Sequence, residues 1–242
     1  MLLLFDIDGT LLLRAADAHR DAIHEALRAV HGVTDLPELG GPQTAGRTDR
    51  EIVRGLLLAA GVSARRIDER VDDVQIAACE AYGRLCPVDL SAAVAPGMHE
   101  LLERLAARDG TVLSLVTGNF EAIAHMKLAA AGIGEHFARG QGGFGSDHED
   151  RSMLPAIARR RAGVGRAGMD GPWPRERTLL IGDTPRDIAC ARADGIRVAA
   201  IATGPFRAAD LTDADAVARD ARELGMLLDE LAAAPPGGAQ YA

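Results

Sequence analysis

Continuous apolar runs and amphipathic stretches alternate along this chain, except over one long region where only the helical pattern occurs. Leu2, Leu3, Leu4 and Phe5 form an unbroken apolar run, the pattern of a strand buried on both faces of a parallel sheet. Ala18, Ala22, Ile23, Ala26, Leu27 and Val30 then recur at helical spacing, with Gly32 placed to end the helix. A Gly- and Pro-rich loop, Leu36 to Gly46, precedes a second helix through Ile52, Val53, Leu56 and Leu57 to Gly61. Thr48 and Glu51 are spaced as its capping box, and Ser63 can cap a third helix running to about Leu85. No strand pattern interrupts 15–94, which predicts an all-helical subdomain.

Pro96 and Gly97 mark the return to alternating patterns. A helix near Met98 to Arg108 leads to a strand, Thr111 to Val116, that ends in Thr117-Gly118-Asn119. A helix from about Glu121 to Ala131 stops at Gly132, and another near Ser152 to Ala162 takes Pro155 in its first turn. Gly163 to Glu176 reads as an exposed loop with Trp173 as a packed anchor. A strand at Thr178 to Ile181 runs into Gly182-Asp183-Thr184-Pro185-Arg186-Asp187, followed by a helix to Ala193 and a strand from Arg197 to Ile201. Ala216 and Val217 are a candidate edge strand before a last helix, about Arg219 to Leu231. The alternation predicts a three-layer, Rossmann-like α/β fold with a parallel sheet. Its core would comprise 1–14 and 95–235, with a helical cap inserted at 15–94 and a flexible tail at 236–242.

Composition narrows the partners. With 48% hydrophobic and 26% charged residues the chain reads as globular, and a formal charge of −8 argues against nucleic acid or an anionic membrane. No apolar run approaches the ~20 residues of a bilayer-spanning helix. Cys79, Cys86 and Cys190 match neither a zinc motif nor a disulfide framework and read as buried thiols of a reducing compartment. The opening apolar run meets acidic residues at once, unlike a signal peptide, so a cytoplasmic monomer or homodimer is expected.

The chemistry concentrates where strands end. Asp6 and Asp8 stand two apart in an extended segment, so both carboxylates can enter one pocket at the strand's carboxyl end. Two close carboxylates call for a cation, and a hard ion such as Mg²⁺ suits oxygen donors completed by water and phosphate. One carboxylate could attack phosphorus while the other moves protons. Thr117 to Asn119 add a hydroxyl and free amides, and Asp183 and Asp187 add carboxylates. Asp183 alone reads equally as a helix cap. The three turns together, in this order, point to phosphoryl transfer.

DIDGTL, the strand ending VTGN, and IGDTPRDIACARADG resemble the motifs of the haloacid dehalogenase superfamily, most closely its phosphoglycolate-phosphatase-like members. The resemblance spans nearly the whole chain, and the helical insertion after the first motif is similar to that family's C1-type cap. It implies that Asp6 becomes an aspartyl phosphate and that Asp8 protonates the leaving oxygen and then activates water. It implies Mg²⁺ held by Asp6, the Asp8 carbonyl and Asp183, with Asp187 as a further ligand or supporting acceptor. Thr117 and the Gly118 amide would hold phosphate oxygens, with Asn119 beside them.

The family's charge-balancing basic residue, usually Lys, corresponds by order to Arg151 in SDHEDRSMLP, a departure from the commoner Lys-Pro pattern. Lys127 and Arg139 come too early in that order. AGRTDREI resembles the substrate-facing cap loop, where Arg47 would meet a distal anion, although the same stretch also reads as a helix start. None of the histidines, His19 among them, shows ligand spacing. The resulting expectation is a Mg²⁺-dependent phosphatase acting on a small phosphorylated metabolite. A phosphosugar mutase or a catalytically silent binding homologue are the alternatives. A dehalogenase is disfavoured, since the family's dehalogenases lack the second carboxylate that Asp8 supplies.

Overall fold

A computed structural model of the chain describes residues 1–36, 43–165 and 171–233. The tail expected at 236–242 and parts of the loops expected at Leu36 to Gly46 and Gly163 to Glu176 lie outside the described residues. A six-stranded parallel sheet forms the core: β1 (Leu2–Phe5), β2 (Val112–Thr117), β3 (Gly143–Phe144), β4 (Thr178–Gly182), β5 (Arg197–Ile201) and β6 (Ala216–Ala218). Its order is β3-β2-β1-β4-β5-β6, so the strand that opens the chain lies at the centre. Leu2 to Phe5 pair with 112–115 on one side and 178–181 on the other.

Strand alternation builds three layers. Leu3 and Phe5 point into a cluster completed by α4 (Met98–Ala106) and α8 (Ala221–Ala233), while Leu2 and Leu4 face α6 (Leu154–Gly163) and α7 (Pro185–Asp194). The three-layer parallel α/β fold expected from the apolar pattern is therefore present. β3 was not expected: two residues, one of them glycine, leave no alternation to read. Trp173 is buried as an anchor, its indole Nε1 donating to the Arg177 carbonyl at 3.1 Å. Of the three cysteines only Cys190 is buried; Cys79 and Cys86 are half-buried, which corrects that expectation: Cys79 borders a surface pocket beside Glu121 and His125, and Cys86 follows the last turn of the third helix of the insert.

Between β1 and α4 the chain makes α1 (Asp17–His31), α2 (Asp49–Ala59) and α3 (Ala64–Leu85). They share a separate apolar cluster, into which Phe120 and Ile123 at the start of α5 (Glu121–Ala130) also project. The two connections run side by side, with Leu13 N donating to the Ala93 carbonyl at 2.7 Å and Ala95 N to the Leu11 carbonyl at 2.9 Å. Gly32, left-handed at φ 70°, ends α1, and Ser63 Oγ accepts from Arg66 N to start α3. Among the described residues no helix is long and apolar enough to cross a membrane.

Candidate active site

Three adjacent strands, β2, β1 and β4, end in polar turns at the carboxyl edge of the sheet. They open into a cavity of about 600 Å³. Asp6, Asp8, Thr117, Gly118, Asn119, Arg151 and Asp183 line its core side, and His19, Arg47 and Asp49 its helical side.

Asp183 is fully buried, pressed between two glycines. A Cβ at Gly9 or at Gly204 would stand 2.2 or 1.7 Å from its Oδ2. Gly9, at φ 92°, also takes the left-handed turn that carries the chain off β1. Asp183 Oδ1 accepts from Thr10 Oγ1 at 3.0 Å, while Oδ2 has no hydrogen-bond partner among the described residues. Burial, together with repulsion from Asp187 and Asp6, pushes Asp183 up to about 9. Burial also lifts Asp6 to about 6, against the pull of the Arg151 guanidinium. Oxygens of Asp6, Asp183 and Asp187 lie within 4.8 Å of one another. Buried carboxylates short of positive charge, one with an orphaned oxygen, form a hard oxygen set that fits Mg²⁺.

Asp187 has both oxygens engaged. Oδ2 accepts from Thr184 N at 3.0 Å and Thr184 Oγ1 at 2.7 Å, closing a capping box on α7, and Oδ1 accepts from Arg151 Nη2 at 2.5 Å. The same Nη2 lies 3.1 Å from Asp6 Oδ1. Arg151 comes from a 3₁₀ turn, Arg151–Met153, that leads into α6. Burial alone would lower its pKa, but Asp187 and Asp6 outweigh it and hold the guanidinium above its ordinary range.

Asp8 has a different environment. Lys127 Nζ donates to its Oδ1 at 2.8 Å and Oδ2 at 2.7 Å, and Asn119 Nδ2 donates to Oδ2 at 2.8 Å. Burial raises its pKa, but the Lys127 ammonium and these hydrogen bonds outweigh it and hold Asp8 below the usual carboxylate range. The side chain is 33% exposed, toward the cavity. Lys127 comes too early in the motif order and His19 shows no ligand spacing, yet the fold brings the two together. Both stand beside the second carboxylate. Their only sequence signal was that Lys127 is the sole lysine, on the helix that follows Asn119. Arg139 instead lines a separate pocket with Gln75 and His125.

Arg47 stands at the cavity wall with Nη1 3.2 Å from Glu51 Oε1. Thr48 caps α2 by accepting from Glu51 N at 3.1 Å. The Glu51 carboxylate pairs with Arg47, so among the described residues only the Thr48 half of the expected capping box forms. The backbone here rests on the core: Asp49 N donates to the Gly118 carbonyl at 2.8 Å, and a Cβ at Gly118 would lie 2.0 Å from the Arg47 carbonyl oxygen.

Residues 3–192 match the family model described as haloacid dehalogenase-like hydrolase. The chain belongs to that family. It is a phosphoric monoester hydrolase of the haloacid dehalogenase-like type. It is 30% identical over 210 residues to a phosphoglycolate phosphatase of Rhodospirillum rubrum, covering 84% of this chain and 80% of the relative. A phosphoglycolate phosphatase of Mesorhizobium japonicum is 28% identical over 206 residues, 84% of this chain and 83% of the relative. Among solved structures, CbbY from Rhodobacter sphaeroides in complex with phosphate superposes with a TM-score of 0.62 at 20% identity, covering 93% of this chain and 96% of that one. At that identity it shows the shared haloacid dehalogenase-like fold and nothing finer.

Proposed function

We propose that this haloacid dehalogenase-like hydrolase cleaves a small phosphate monoester bearing a second anionic group, by way of an aspartyl phosphate on Asp6. The observation that carries the reading is the contrast between its two neighbouring carboxylates at one cavity. Asp6 is buried against a fixed guanidinium, whereas Asp8, two residues on, is held by hydrogen bonds and turned toward open space. One is placed as a nucleophile, the other as a proton carrier.

Asp6 attacks phosphorus, with Arg151 beside it offsetting charge on nucleophile and phosphate. Thr117 and the Gly118 amide receive phosphate oxygens, and Asn119 borders them. Asp8, ionised in the empty site, takes up the proton of the incoming monoanionic ester and passes it to the leaving oxygen, then accepts one from the water that hydrolyses the aspartyl phosphate. Mg²⁺ would be held by Asp6, Asp183 and the Asp8 carbonyl and would supply positive charge to the phosphoryl group. Asp187, with both oxygens engaged, would orient Arg151 and support this set. Arg47 would meet the distal anion in exchange for Glu51. The relatives named phosphoglycolate phosphatase make a two-carbon carboxylate ester the first substrate to try.

The test is a panel of phosphorylated metabolites offered with Mg²⁺, with 2-phosphoglycolate included. Asp6→Asn should abolish turnover on every active member while the protein keeps its cooperative melt. Near wild-type hydrolysis by that variant would overturn the assignment.

A further inference from the structure

Lys127 is fully buried on α5, so it cannot touch a substrate in the cavity. Its ammonium has three N–H groups and three partner residues: Asp8 at 2.7 and 2.8 Å, the Asn119 Oδ1 at 2.8 Å and the His19 Nδ1 at 3.1 Å. Because lysine only donates, His19 Nδ1 must accept, which leaves His19 Nε2–H to donate to Asp49 Oδ2 at 3.0 Å. The same Asp49 oxygen accepts from Phe120 N at 2.7 Å, back on the core. Asn119 oriented by Lys127 in turn donates to Asp8 Oδ2 and to Thr117 Oγ1, both at 2.8 Å. The chain of contacts thus begins at Asp8, passes through a core helix, crosses to α1 and α2, and returns to the turn that follows β2.

We propose that Lys127 is the positioning residue of Asp8, and that His19 and Asp49 of the helical insert complete its grip, so that Asp8 is correctly aimed only when the insert is seated. This deepens the reading of Asp8 as proton carrier and rests on it. If His19 and Asp49 leave, one of the three ammonium protons loses its partner while still buried, and a buried donor left unmade is costly. Lys127 and Asp8 would then re-aim toward whatever water entered. Seating of the insert would in this way be reported to the carboxylate that moves protons, with no contact between Lys127 and substrate.

A double-mutant cycle distinguishes positioning from general support of the fold. p-Nitrophenyl phosphate and 2-phosphoglycolate serve as probes with Mg²⁺ present, and thermal melts are recorded for each variant. Lys127→Met should lower kcat by about tenfold or more on the more active probe with KM changed less than about threefold. In an Asp8→Asn background the same change should cost less than about threefold, because the residue it acts through is already gone. His19→Leu should repeat this pattern at smaller amplitude, and it carries the test if Lys127→Met lacks a cooperative melt. Equal losses with and without Asp8, or wild-type kcat in a folded Lys127→Met, would overturn the proposal. Full activity in Asp8→Asn alone would instead overturn the proton-carrier role beneath it.

Discussion

At the scale of single residues, the glycines around Asp183 decide as much as the carboxylates. The Asp183 side chain is as tightly enclosed as it can be, with would-be Cβ positions at Gly9 and Gly204 overlapping its Oδ2. Neither neighbour could hold alanine without moving the carboxylate or the loop. Gly204→Ala should therefore destabilise by about 1–3 kcal/mol, as overpacking does. It should also raise the Mg²⁺ concentration needed for half-maximal activity, since the displaced group belongs to the proposed metal set. Gly55→Ala on α2, where a Cβ meets nothing within 4 Å, is the matched control and should stabilise by about 0.5–1 kcal/mol. A Mg²⁺ titration of activity with paired melts checks both. A Gly204→Ala enzyme with unchanged Mg²⁺ demand would remove Asp183 from the metal set.

At the scale of elements, the seat between α2 and the core is where selectivity would be set. Arg54 Nε donates to both Glu149 oxygens at 2.7 and 2.8 Å, Thr48 Oγ1 donates to the Glu149 carbonyl at 2.6 Å, and Arg186 Nη1 donates to the Ala45 carbonyl at 3.0 Å. These contacts hold Arg47 over the cavity. Arg47→Ala should raise KM severalfold for a doubly anionic ester such as 2-phosphoglycolate and barely affect p-nitrophenyl phosphate, which has no distal anion. Equal losses on both would place Arg47 in folding of the seat, and no loss on either would leave it as a helix-start residue. The three helices of the insert were legible because each is amphipathic and each has a cap or stop that can be read locally, at Gly32, Thr48 and Ser63. The carboxylates were legible because an apolar strand running into D-x-D-G-T has few other readings. Lys127 and His19 were not, since they meet Asp8 only through packing of α1 and α5, and motif order carries no information on that. β3 escaped for the opposite reason: its two residues pair with β2 because the rest of the sheet is there to receive them.

At the scale of the whole molecule, the site trades stability for chemistry, and the trade is dependent on pH. Asp183 and Asp6 have pKa values raised to about 9 and about 6, from an unfolded value near 3.9. In that window the metal-free folded state keeps protons that the unfolded state has lost. Stability changes with pH in proportion to protons bound unfolded minus protons bound folded, so these groups make stability fall as pH rises from about 4 to about 9. Asp8, held low, works the other way, but its contribution is complete once pH is well above 4. A protein of this length shifts its melting temperature by about 2–4 °C per kcal/mol, so this loss is readable in a melt. A cation bound to the ionised set should cancel this loss. Mg²⁺ should accordingly raise the melting temperature little at pH 5 and by several degrees more at pH 8.5, with Asp183→Asn abolishing most of the difference. Equal Mg²⁺ increments at the two pH values would mean that the ion, if it binds, does not sit among the carboxylates that the fold has buried.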